Sequence, residues 1–330
     1  MSDADDIRIL INVRTFPSRW SSSGLRGSAK EVHGPAAFIR QCRNSDLIFV
    51  FQEARTIQVL AMAFLLLPFL RKPIVAVDLL LGKPEGLRPR LSAVIKRFVF
   101  GRIDHFVHYF RDLSGYQKYF GIGPDRSSFV WFKANIREHL DVQPDSDGQY
   151  ILCFGSTQRD YDTFFRAVWS LPYRAAIPRP NLSSLRSNGS RFSVDPASLA
   201  GRVELLDDDG SEASQVRLLR GARLVVLPML RDRIRAAGIS TYLNAMLLGK
   251  CVIVSEGPGV SDVLSPEQAI FVPPEDPAAL AGAIARAWED RELRERTARV
   301  GRLFAESLGG EQALYQRILD ATLPIVMRRR

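Results

Sequence analysis

At 330 residues, with 46% hydrophobic and 25% charged side chains, the chain has the composition of a folded protein, which argues against disorder or a fibrous class. Its length exceeds what one hydrophobic core usually organises and predicts two domains. The 45 basic against 36 acidic residues leave a formal charge of +9, which suits an anionic partner. A nucleoside diphosphate or a phospholipid surface fits that charge, and no helix-turn-helix, zinc-finger, RRM or KH signature points to nucleic acid.

The opening MSDADDIRIL is acidic where a signal peptide is basic, and Cys42, Cys153 and Cys251 are few and widely spaced. Both features predict a cytoplasmic chain. Apolar, β-branched runs then alternate with helix-like segments: IRILINV, DLIFVF, PIVAVDLLL, HFVHYF and SSFVWF read as strands buried on both faces. Helical spacing over Pro35 to Arg43, Ala54 to Leu70, Arg88 to Phe100 and Arg111 to Phe120 supplies the crossovers of a βαβ series. The apolar stretch from Ile57 to Leu70 is broken by Gln58 and Pro68 and is too short to span a bilayer. Lys72, Arg88, Arg90, Lys96, Arg97 and Arg102 flank Val94, Ile95, Phe98, Val99 and Phe100, a pattern that fits an anionic membrane surface or an ordinary solvated helix face.

Polar text over Asp141 to Gly148 places the domain boundary between residues 146 and 147. Beyond it a second strand series runs through ILCF, AAIP, RVELL, ARLVVLP, CVIVS and AIFVP, and the Ser- and Asn-rich stretch Arg179 to Ala200 reads as an irregular loop. Asp276 and Pro277 mark the start of the closing helices, the last of which is expected to pack back on the first domain. The fold class is therefore α/β, with two doubly wound Rossmann-like domains facing each other across a cleft.

The most informative passage is ARLVVLPMLRDRIRAAGISTYLNAMLLGKCVIVSE, residues 222–256. A strand ends at Pro228, a loop holds Arg231, Arg233 and Arg235, and Gly238, Ile239, Ser240 and Thr241 open a helix that ends at Gly249. Unpaired N–H groups at such a start make a cradle for a phosphate, with Asn244 a turn further on within reach of a ribose hydroxyl. Plain caps at Ser240 and Gly249 are the alternative.

The run LNAMLLGKCVIVSEGPGVSDVLSPEQAIFVPPEDPAALAGAIARAWEDRELR resembles the donor-binding lobe of the glycosyl transferases group 1, or family 4, of the two-Rossmann-lobe (GT-B) type. The resemblance covers about Tyr150 to Glu306 and is topological before that. It implies transfer of a sugar from a UDP- or GDP-sugar, a substrate rather than a cofactor, with no metal and with retention of configuration. The family's Glu-x7-Glu falls on Ala236 and Asn244, so both carboxylates are missing and a charge-assisted ribose contact is lost. In CFGSTQRDYDTFFRAV the resemblance assigns Gly155 and Arg159 to the diphosphate; a solvated Arg paired with Asp160 or Asp162 is the alternative. Gly257, Gly259, Val260 and Ser261 are expected at another helix start near the donor nucleotide.

For the acceptor side the sequence offers the polar loop RTFPSRWSSSGLRGSAKEVHG, with Gly24, Arg26 and Gly27 at the carboxyl end of a strand. His33 in that loop is a candidate base, and Asp78, ending PIVAVD, stands where similar transferases place a His or an acid close to the sugar. His105 and His108 fall on opposite faces of one strand and form no metal pair. The expected partners are a nucleotide-sugar, a glycan, lipid-linked or small-molecule acceptor, and an anionic surface at the inner face of the cell membrane. An inactive nucleotide-sugar-binding or partner subunit, or a nucleotide-sugar epimerase, are the rival readings.

Overall fold

The computed structural model describes residues 6–137 and 149–328, so the boundary expected between residues 146 and 147 lies outside the described residues. The chain divides into two compact units, one of Met1–Trp131 with Glu311–Arg330 and the other of Phe132–Gly310.

The first unit runs β1 (Ile7–Ile11), β2 (Arg19–Ser22), β3 (Leu25–Glu31), α1 (Pro35–Gln41), β4 (Leu47–Phe51), α2 (Ala54–Leu66), β5 (Ile74–Val77), α3 (Leu87–Phe100), β6 (His105–His108), α4 (Ser114–Phe120) and β7 (Ser127–Phe129). Its seven-stranded sheet has the order β2-β3-β1-β4-β5-β6-β7 and is parallel except where β2 meets β3. Strands β4, β5 and β6 are buried along their whole length, which is why they read as unbroken apolar runs.

The polar loop expected after β1 is instead an antiparallel hairpin of β2 and β3, paired from Arg19 with Ser28 to Ser22 with Leu25. Ser23 and Gly24, at φ 52° and 78°, form a two-residue turn with both centres left-handed, the geometry that matches strand twist. Only Trp20 and Ser22 of β2 are buried, so its alternation is hidden by low hydrophobicity. Gly27 sits where β3 crosses close to its neighbours: a Cβ there would fall 1.9 Å from the Ile7 carbonyl oxygen and 2.6 Å from the Trp20 ring.

The second unit runs β8 (Tyr150–Cys153), α5 (Tyr161–Trp169), β9 (Ala175–Pro178), α6 (Leu182–Ser187), β10 (Val203–Leu206), α7 (Glu212–Gly221), β11 (Ala222–Leu227), α8 (Ile239–Leu247), β12 (Cys251–Ser255), β13 (Ile270–Val272), α9 (Pro277–Glu289) and α10 (Arg291–Ser307). Its six strands are all parallel, in the order β10-β9-β8-β11-β12-β13. Ile151, Phe164, Ile177, Leu224, Ile253 and Ile284 lie at the centre of its core. The last helix, α11 (Glu311–Arg328), belongs to the first unit and packs against β2 and β6.

The stretch expected as an irregular loop from Arg179 to Ala200 carries α6 and a 3₁₀ turn at Pro196–Leu199. Asn181 and Asp195 cap them, and Leu185 and Leu199 are buried beneath. These elements are too short and polar to show a period. The helix start expected around Gly257 to Ser261 is a turn rather than a helix.

Candidate functional site

In the second unit the strand order reverses direction at β8 and β11, and in open α/β sheets ligands bind beyond the carboxyl ends of the strands at such a point. Two connections meet there. The first leaves β8 through Phe154 and Gly155, the latter at φ 103°, and leads to Arg159 and α5. The second leaves β11 and ends at Gly238, a left-handed N-cap at φ 80° before α8. A cavity of about 350 Å³ lies between them, with Gly155, Thr157, Arg159, Gly238, Ser240 and Thr241 on its wall.

Arg159 is 1% exposed. Its Nε donates to the Phe154 carbonyl at 2.9 Å, Nη1 to the Thr157 carbonyl at 3.0 Å and to Met229 Sδ at 2.9 Å, and Nη2 to Thr241 Oγ1 at 3.2 Å. Among the described residues no carboxylate lies within ion-pair distance of it: Asp160 instead caps α5 and meets Arg191 at 3.5 Å. Burial pulls the guanidinium pKa down. The glycines make room for it, since a Cβ at Gly155 or Gly238 would fall 2.5 Å or 2.8 Å from Arg159 Nη2. Tyr161 Oη donates to the Gly155 carbonyl at 2.7 Å and fixes the first turn.

A second buried guanidinium was not singled out by sequence. Arg233 donates from Nη1 to the Leu230 carbonyl at 2.9 Å and from Nη2 to the Ser255 and Glu256 carbonyls at 3.1 Å and 2.7 Å. Burial first, and then the nearby Arg159 charge, push its pKa down to about 10. Gly257 gives it space, as a Cβ there would lie 2.6 Å from Nη2. Three arginines at alternate positions, 231, 233 and 235, carry no signal that selects the middle one. Arg231 is paired with Glu275 at 3.5 Å at the surface. The site is thus cationic beneath and open above, and α8 has no acidic residue in its first turn. A helix start of that kind attracts an anion.

The remaining residues singled out by sequence are dispersed. Ile239 is the first residue of α8. Asn244 is 4% exposed and its Oδ1 accepts from the Asn135 backbone N–H at 2.8 Å, so its oxygen ties down an adjoining segment instead of lining the cavity. Ala236 packs against Gly259, where a Cβ would fall 2.4 Å from the Ala236 Cβ. Tyr242 Oη donates to the Gly259 carbonyl at 2.9 Å, and Val260 is fully buried behind it.

In the first unit each candidate pairs with a different neighbour. His33 Nε2 is hydrogen-bonded to Glu31, Arg26 is paired with Asp6 at 2.9 Å, and Asp78 Oδ2 accepts from Gln52 Nε2 at 2.6 Å. Asp78 and Gln52 are both left-handed, at φ 50° and 56°, at the ends of β5 and β4. Gly24 and Arg26 line a shallow surface hollow with Gln316, while Gly27 is packed into the sheet.

Two parallel-rich α/β units, the second with an anion-suited cavity at its switch point, have the two-Rossmann-domain, GT-B fold. More narrowly, residues 203–304 match the family described as Glycosyl transferases group 1. Among solved structures, HepE of Anabaena in complex with UDP and glucose is similar at 15% identity and a TM-score of 0.64, over 91% of this chain and 86% of that one. Sucrose-phosphate synthase of Thermosynechococcus elongatus is similar at 15% identity and a TM-score of 0.63, over 98% and 88%. A UDP-forming α,α-trehalose-phosphate synthase of Burkholderia xenovorans is similar at 15% identity and a TM-score of 0.58, over 88% and 75%. No curated protein matches by sequence.

Proposed function

We propose that the chain transfers a sugar from a nucleoside diphosphate sugar to a glycan, lipid-linked or small-molecule acceptor, and that the cavity at the start of α8 takes the donor diphosphate. The observation that carries this reading is Arg159, a buried cation on the cavity wall that, among the described residues, only neutral acceptors hold. A buried charge without a counter-charge is costly, and a bound diphosphate supplies one. The Ser240 and Thr241 hydroxyls and the free N–H groups of α8 complete an anion cradle.

The same groups stabilise charge that develops on the departing nucleoside diphosphate, so the reading requires no resident metal. Retention of configuration follows from the resemblance to group 1. UDP-glucose is the first donor to test, because HepE is similar in fold and is known in complex with it. Asp78 or His33 is assigned to the reacting sugars, and Asn244 is left outside the binding machinery because its oxygen is engaged.

Titration calorimetry with UDP, GDP, UDP-glucose and GDP-glucose tests the donor site. Micromolar binding of one nucleotide supports it; absence of binding to all four removes the reading. Ala236 and Asn244 in place of two carboxylates favour a second reading, a binding subunit without transfer. Tight nucleotide binding with no donor turnover across an acceptor panel would establish that alternative. Sugar epimerised with donor alone would establish the epimerase.

A further inference from the structure

Helices α2 and α3 are neighbours in the first unit, and both hold large apolar side chains out to solvent. On α3, Leu87, Leu91, Val94, Ile95 and Phe98 are between 59% and 80% exposed. At the helical repeat they fall within a sector of about 100°, opposite the buried Ala93 and Phe100. The helix therefore has a second apolar face that no part of the described chain covers. On α2 and the turn that follows, Leu66 and Phe69 are each 72% exposed, with Met62 and Leu67 beside them in sequence. Single exposed apolar residues are ordinary, but such a concentration on adjoining elements marks an interaction surface.

Charge selects the occupant. Helix α3 carries Arg88, Arg90, Lys96 and Arg97 and no acidic residue, and α2 carries Arg55 and none. Arg88 borders the bare stripe on one side, Arg90 and Arg97 on the other. The guanidinium carbons of Arg102 and Arg43 lie 5.9 Å from the exposed rings of Phe98 and Phe69 respectively. Lys83, Arg88 and Lys96 also line a cavity of about 410 Å³. A second copy of this chain would set these cations against their own equivalents. Anionic headgroups above acyl chains complement both the charge and the apolar stripe. Among the described residues no helix is long and apolar enough to cross a membrane, so the contact lies in the interface plane.

We propose that the α2–α3 face is a docking surface for an anionic phospholipid bilayer, its apolar stripe entering the headgroup boundary and the cavity of Lys83, Arg88 and Lys96 taking a lipid phosphate. It stands independently of the donor site. The test is sedimentation of the full chain with vesicles of equimolar phosphatidylglycerol and phosphatidylcholine, against pure phosphatidylcholine and across a salt series. Binding to the anionic vesicles alone, weakening with salt, is expected. Arg88→Ser with Lys96→Ser should weaken it about fivefold per cation removed, and Leu91→Ser with Ile95→Ser roughly tenfold or more.

Circular dichroism and UDP titration of the variants check that the fold and the donor site are unchanged. The wild-type salt series decides the question even where a variant misfolds. No binding, equal binding to both vesicle types, or variants that change only self-association in sedimentation velocity would each overturn the proposal.

Discussion

Replacing Arg159 with Met removes the cation but keeps much of its length, and the structure sets the size of two separate effects. For stability, the Phe154 and Thr157 carbonyls lose their donors, at about 1–3 kcal/mol for each buried group left unpaired. Relief of the buried charge offsets part of that cost, so Arg159→Met should be destabilised by no more than about 6 kcal/mol. For binding, a hydrogen bond to a charged group contributes about 1.5–3 kcal/mol, which corresponds to UDP affinity weakened by about 10- to 150-fold. Uridine, which lacks the phosphates, should bind both proteins alike. Arg159→Lys keeps the charge but not the fork that serves Phe154, Thr157 and Thr241, and it should fall between them. The assay is calorimetric titration well below the melting temperature of the variant, with circular dichroism to confirm the fold. A folded Arg159→Met that binds UDP as tightly as the wild type would refute the assignment of the diphosphate to this cavity.

Gly238→Ala forces a left-handed residue to carry a Cβ 2.8 Å from Arg159 Nη2. It should lower stability by about 1–2 kcal/mol and weaken UDP binding together; an unchanged melting temperature would contradict this. Gly27→Ala should be worse, because the clash is with the backbone carbonyl of Ile7, and a loss of about 3 kcal/mol or more is expected in urea unfolding. His108, buried among Phe106, Phe110 and Tyr116, has its pKa lowered from 6.5 to about 3, by burial first and His105 second. The unfolded chain therefore binds a proton that the folded chain refuses. Stability from this group is complete above about pH 6.5 and is lost as the pH falls toward 3, amounting to about 2 kcal/mol by about pH 5. Urea unfolding of His108→Phe should show a pH slope shallower by that amount; an identical slope would assign acid sensitivity elsewhere.

The central strands are legible because parallel strands buried on both faces are apolar throughout, and no tertiary context is needed to recognise LIFVF or IVAV. The β2–β3 hairpin was not, because Arg19 and Ser21 alternate with Trp20 and Ser22, and half of that pattern is serine. Helix α6 was missed for a related reason: Leu185 is its sole buried residue. At the site, the Gly238-to-Thr241 helix start is readable from local chemistry, whereas the ribose role of Asn244 rests on its place in a motif. Its actual partner, the Asn135 backbone, lies far away in sequence and leaves no local trace. The sequence does not single out Arg233, because burial of one arginine among three is decided by the space beside Gly257, a three-dimensional property.

That space explains how the site comes to be cationic. At the carboxyl edge of a parallel sheet the strand carbonyls run out of ladder partners, and here Phe154 after β8 and Ser255 at the end of β12 are such groups. Water could satisfy them at no charge; this chain uses Arg159 and Arg233 instead. An arginine can lie that close to the backbone only where no Cβ intervenes, and Gly155, Gly238 and Gly257 are left-handed at those points. The glycines thus fix the turns and admit the guanidinium groups in one arrangement. The two cations raise each other's cost, since each is buried and the Arg159 charge lowers the Arg233 pKa. Carbonyl dipoles compensate part of that cost, and an anion above the α8 N-terminus would compensate more. Nucleotide should therefore bind the wild type more tightly than it would bind a neutral pocket and, at a given concentration, stabilise it more. The stabilisation by UDP should shrink in Arg233→Met even though that side chain does not line the cavity. Thermal melts of both proteins at one fixed UDP concentration, well above both dissociation constants, decide it: equal shifts would mean that Arg233 only ties the loop to β12 and adds nothing to nucleotide affinity.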